Sequence, residues 1–235
     1  MTCRLFSVLA LAVAAAALPA HAEAVKVGRA SIELPEGNWK ALTTEDGQNT
    51  VNGSTTGALP TETRTFAFVS GGRAMAILSM TSSKSGGTRA NWVNTCKSSA
   101  NIHALNLTQD PNALECVQVS APFQAEPLLM RLMPDAMTAM LFDGLAVPQF
   151  MQTINATVGS SGGISLHVNL YAAPDFVGLQ GEESSDLPAY VKPGQLVWAR
   201  QLAKAVKGSV YSMGGNMTLP PVAFATPGIT SSTSQ

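Results

Sequence analysis

Three groups of side chains combine reactive or ligating chemistry with a suggestive spacing: a serine in a glycine turn, a run of methionines and a pair of cysteines. Gly159-Ser160-Ser161-Gly162-Gly163 has the form G-x-S-x-G. In a hydrolase this pattern exposes the central serine, here Ser161, on a sharp turn between a strand and a helix. The residues after Ser161 alternate apolar and polar, which predicts a strand, and the nearest histidine, His167, falls inside it. The motif therefore reads as a Gly/Ser turn, with a serine hydrolase using Ser161 as the alternative. Met130, Met133, Met137 and Met140 are spaced i, i+3, i+7, i+10, which places them on one face of a continuous helix. Thioethers are soft ligands for Cu(I), so a Met-based copper carrier is one reading. Core packing and an adaptable apolar groove are the others.

The cysteines depend on the compartment. Residues 1–22 have the parts of a secretory signal: Arg4, an uncharged run from Leu5 to Leu18, and Ala20-His21-Ala22 before a cleavage at Glu23. The apolar run is 14 residues, short of the roughly 20 needed to span a bilayer. Cys3 precedes the run, where a lipoprotein signal would have its cysteine after it. Cleavage leaves Cys96 and Cys116 with 19 residues between them. In an oxidising compartment an even pair predicts a disulfide. On the chain-entropy account such a loop closure contributes about 3 kcal/mol. The competing reading is a reactive Cys96 with His103 as its base, which lacks a third group to orient the histidine.

Charge excludes more than it suggests. The mature 213 residues would hold 13 Lys+Arg against 15 Asp+Glu. That balance gives no pull toward nucleic acid. Charged residues are 12% of the chain, about half the usual share, and the place of the rest is taken by Ser, Thr, Asn, Gln and Gly. Such a surface suits a periplasmic or secreted protein. Arg200, Lys204 and Lys207 form a basic stripe that would meet anionic headgroups or face water. Glu182, Glu183 and Asp186 lack the alternating ligands of a calcium loop. His103 and His167 have no zinc spacing, and no dinucleotide or phosphate loop is present. No cofactor is expected.

These residues need elements to hold them. Residues 25–34 and 38–43 read as two strands around Pro35-Glu36-Gly37, and 44–61 as a long polar loop. Residues 62–70 and 73–82 form a hairpin turned by Ser70-Gly71-Gly72. Thr88 would cap a helix over 89–101, which the disulfide would tie to a strand at 113–121. Pro134 divides the apolar stretch 127–151 and opens a helix over 135–143 ended by Gly144. Residues 163–173 alternate as a half-buried strand, and 178–190 form an acidic loop. Pro193 begins a helix over 193–213, with Trp198, Ala199, Leu202, Val206 and Val210 in one apolar stripe.

The expected fold is α+β: a mainly antiparallel sheet covered by helices, with one disulfide. The expected organisation is a signal at 1–22, one domain over 23–217 and a flexible Pro/Ser/Thr-rich tail over 218–235. The opening Ile32-Glu33-Leu34-Pro35-Glu36-Gly37-Asn38-Trp39 and the closing amphipathic helix resemble Mog1/PsbP-like α/β sandwich domains. The resemblance covers about a quarter of the chain and implies a binding or assembly module rather than a catalyst. The sequence as a whole therefore predicts an exported, non-enzymatic envelope protein. Its partner would be another protein or an apolar small molecule, with no transmembrane segment once the signal is removed.

Overall fold

A computed structural model of the chain describes residues 24–50, 58–87, 90, 92, 96–110, 112–174 and 187–222. The signal segment and the acidic trio Glu182, Glu183 and Asp186 lie outside these residues.

The chain opens with β1 (Ala24–Val27) and β2 (Ala30–Glu33), an antiparallel pair. The single strand expected over 25–34 is thus split at Gly28-Arg29. Gly28 has φ 54°, and a Cβ there would lie 2.8 Å from the Ser82 and Ser83 carbonyl oxygens. Only glycine fits both the backbone and the space. β2 also pairs in parallel with β11 (Asn216–Thr218), giving a small three-stranded sheet.

The large sheet is antiparallel throughout and runs β3-β4-β5-β10-β9-β7-β6. β3 (Trp39–Thr50) and β4 (Ala58–Ser70) extend through most of the stretch expected to be loop, 44–61. Residues 45–49 are exposed, so the edge strand β3 is built by backbone pairing rather than by apolar alternation, and its polar side chains suit a solvent-facing edge. β4 and β5 (Arg73–Ser83) form the expected hairpin. Gly71 and Gly72 both take positive φ, as a type I′ turn requires.

The expected helix over 89–101 does not hold where the chain is described. Residues 96–98 are irregular, Ser99 bridges Ile102, and β6 (Ile102–Asn106) follows. Cys96 and Cys116 are joined, with Cα atoms 5.5 Å apart. The disulfide therefore ties an irregular strap, not a helix, to β7 (Leu114–Ser120).

β8 (Phe123–Gln124) leads into α1 (Ala125–Leu132) and α2 (Pro134–Phe142). Met133 between them is non-helical, with φ −146°, because the ring of Pro134 disfavours helical backbone in the residue before it. β9 (Phe150–Gly159), β10 (Ser165–Ala172) and α3 (Pro193–Tyr211) complete the frame. The packed chain runs beyond Met217: Leu219 and Pro220 are buried, and the Leu219 N–H donates to the Glu33 carbonyl. Residues 223–235 lie outside the described residues.

Strand alternation divides the core in two. Leu78, Met80, Val117, Ile154, Ala156, Val168 and Leu170 face α3 and the small sheet, and pack with Trp198, Leu202 and Val206. Ile77 and Tyr171 point the other way and pack under α1 and α2. The fold is sheet-dominated. One face is covered fully, the other only at one end by helices.

Candidate functional site

The partly covered face of the large sheet has three zones. At one end lie α1 and α2. At the other end runs the strap, whose described residues are Gly87, Ala90, Trp92 and 96–98. The Ala90 N–H donates to the Ser161 carbonyl, Gly87 N–H to Gly162, and the Trp92 indole N–H to the Ser160 carbonyl at 2.8 Å. The indole lies so close over Gly159 that a Cβ there would collide with it.

Between these ends the strands present a polar band. The register sets Glu45 beside Thr63, Thr63 beside Thr81, Thr81 beside His167, His167 beside Thr157, and Thr157 beside Cys116. One step along, Thr65, Ser79, Asn169, Asn155 and Gln118 form a parallel row. The hydroxyls of Thr63 and Thr81 are 2.8 Å apart, Thr157 hydrogen-bonds His167 Nδ1, and the Asn155 amide donates to Gln118 at 3.1 Å. Asn155 Oδ1 is buried with no partner among the described residues. Burial holds the His167 imidazole below its ordinary value of 6.5, against a weaker opposing effect of its hydrogen bond to Asn169. The ring is thus neutral at physiological pH and serves as a link in a sheet ladder.

Each residue singled out in the sequence now has a place. Ser161 is exposed in the β9–β10 turn and is followed by Gly163 at φ 79° and then by β10. The strand–turn–helix that an exposed nucleophile needs is not formed there, and His167 is engaged with Thr157. Met133, Met137 and Met140 are buried with Ala67, Ala74, Ile77, Leu129 and Met151, while Met130 is 41% exposed outside that cluster. The break at Pro134 separates the four: three fill the core and one faces solvent. Among the described residues no group of three or more His, Cys, Asp or Glu is placed to hold a metal.

Arg200, Lys204 and Lys207 are exposed on α3, as the stripe predicts. Lys207 pairs with Glu115 of β7 at 2.7 Å, which raises the ammonium pKa. Tertiary packing thus brings Lys207 a counter-charge from a strand distant in sequence.

Sequence reasoning missed the exposed apolar set. Among the described residues, five of the eight large exposed hydrophobic side chains lie in one stretch: Met130, Leu132, Leu141, Phe142 and Phe150. Leu132 is 53% exposed, Leu141 61% and Phe142 88%. The signal was present in α2 itself, Pro-Asp-Ala-Met-Thr-Ala-Met-Leu-Phe, which is apolar around most of its circumference. One sheet face cannot bury all of it. Among the described residues no helix is long and apolar enough to cross a membrane. Comparison with protein-family models, curated proteins and solved structures finds no match for this chain.

Proposed function

We propose that this is an exported, non-enzymatic envelope protein that binds a partner protein through the exposed apolar face of α1 and α2. The observation that carries the reading is the concentration of outward-pointing Leu132, Leu141 and Phe142 on two short helices. Large apolar side chains left in water as a group mark contact surfaces.

Two features favour a protein partner over an enclosed apolar ligand or a membrane. Three of the four methionines that would line a ligand cavity, Met133, Met137 and Met140, pack in the core instead. The cleft beside α1, about 240 Å³, is lined by Gln124, Glu126 and Gln149 along with prolines and Val147, which suits no purely apolar guest. A lipid surface would be served best by apolar and basic groups on one side. Here α3 and its basic stripe pack on the opposite face of the sheet from α1 and α2. The resemblance to Mog1/PsbP-like domains, the disulfide and the low charge support an assembly or binding role outside the cytosol.

The test is a titration of the mature chain with a fluorescent apolar probe. The expected result is saturable binding that falls about tenfold, or about 1.4 kcal/mol, in Leu141→Ser/Phe142→Ser, with the melting temperature unchanged. Binding that is absent, or indifferent to the double substitution, would move the contact away from this face.

A further inference from the structure

A second concave site lies far from α1 and α2, where the strap meets the start of β7. The cleft has a volume of about 520 Å³, and its walls include Trp92, Asn106, Thr108, Gln109 and Asp110. We propose that it binds a neutral saccharide.

The chemistry of the wall selects the ligand class. Among the described residues no cation lines the cleft, and Asp110 would repel an anion. A purely apolar guest would strand the amides and the carboxylate without partners. A sugar ring carries hydroxyls that both donate and accept, and C–H faces that pack on an aromatic π-system. The indole of Trp92, two amides, a hydroxyl and a carboxylate offer that combination.

The wall is also preorganised. Asn106 Oδ1 accepts from the Thr108 N–H, Thr108 Oγ1 from the Asp110 N–H at 3.1 Å, and Asp110 Oδ1 from the Asn112 N–H at 2.8 Å. Each side chain is fixed by one atom and keeps others for a ligand: the Asn106 NH₂ and the Thr108 hydroxyl proton as donors, the second Asp110 oxygen as an acceptor. Trp92 is fixed by its bond to the Ser160 carbonyl and by Gly159 beneath it. The Cys96–Cys116 disulfide packs against Trp92 and Leu114 and holds strap and strand together at the base of the cleft. Groups already held in place lose little entropy when a ligand arrives.

The experiment uses the folded, oxidised mature chain and follows the three indole N–H signals by two-dimensional NMR. The probes are maltotetraose, cellotetraose and chitotetraose, each taken to about 10 mM, which detects even millimolar affinity. Trp198 and Trp39 lie elsewhere in the fold, in or against the core under α3. The expected result is a saturable shift of the Trp92 signal with at least one probe. Gln109→Ala and Asp110→Asn should each weaken it about tenfold, the scale of one lost hydrogen-bond partner in a polar site. Asp110→Asn keeps the oxygen that caps the turn, so folding is preserved, and Phe142→Ser should leave the affinity unchanged. No shift with any of the three probes overturns the proposal, and so does a shift that both cleft variants leave intact.

Discussion

The two faces of the large sheet are built from the same strands and end in opposite surfaces. Toward α3 most alternate residues of β5, β9 and β10 are apolar, with Gln152 bonded to Gln195 of α3 as a polar exception, and a 19-residue helix and a second sheet close over them. Toward α1 and α2 the alternate residues are mostly Thr, Ser, Asn and His, and two short helices cover only one end. The first face carries stability, because its apolar area is removed from water. The second combines polar ladders, an outward-facing apolar patch and a strapped cleft, which add little to a core and much to recognition.

The sharpest way to break this contrast is to empty each face in turn. Trp198→Ala removes a side chain that is fully buried under α3 and hydrogen-bonded to the Pro221 carbonyl. It should cost about 3–5 kcal/mol, read from the denaturant midpoint. Leu141→Ser, on the other face, should stay within about 0.5 kcal/mol of wild type. Equal losses at the two sites would erase the distinction.

The strap gives the next effect. Cys96→Ser/Cys116→Ser should cost about 3 kcal/mol and should raise amide exchange over residues 96–98 before the α3 face is affected. A double mutant as stable as wild type would make the disulfide incidental to the fold.

The polar band gives a smaller, pH-dependent effect. His167 has a lowered pKa in the folded state, with burial as the main cause. The unfolded chain therefore takes up a proton more readily. Stability should fall as pH drops from 6.5 toward the folded value, with a slope of at most about 1.4 kcal/mol per pH unit. Above 6.5 the term is absent. His167→Asn should flatten the thermal-melting profile between neutral and mildly acidic pH, and an unchanged profile would mean the ring is not the group that titrates.

The same contrast explains what could be read from the sequence. The α3 face was legible because burial writes itself as periodicity: Trp198, Leu202, Val206 and Val210 on the helix, and Leu166, Val168 and Leu170 on β10. Gly71-Gly72 and Pro134 were legible because few other residues suit those backbones. The other face was not. The far end of β3 looks like loop because solvent leaves its side chains free to be polar, and on β4 the buried Leu59 and Thr61 alternate with exposed neighbours over too short a run to read as a strand. β9 is hard to read although Ile154, Ala156 and Val158 alternate with Thr153, Asn155 and Thr157, since a Thr/Asn-rich strand resembles a linker until its neighbours are known. β6 begins just past the helix that Thr88 and Trp92 suggest over 89–101, and its five residues are too few to show a pattern of their own. The cleft joins Trp92 to residues 106–110 across the disulfide, a proximity that no local spacing encodes. The methionines misled for a related reason. Their spacing presumes one helix, and Pro134 makes two.

The central claim is that α1 and α2 present the working surface of an exported protein. A photoreactive amino acid placed at position 142, or at exposed position 201 on α3 as the control, tests it in the native host. The account predicts one discrete cross-linked species from position 142, formed on a chain whose mass begins at Glu23, and none from position 201. No adduct at 142, or the same adducts from both positions, would contradict it.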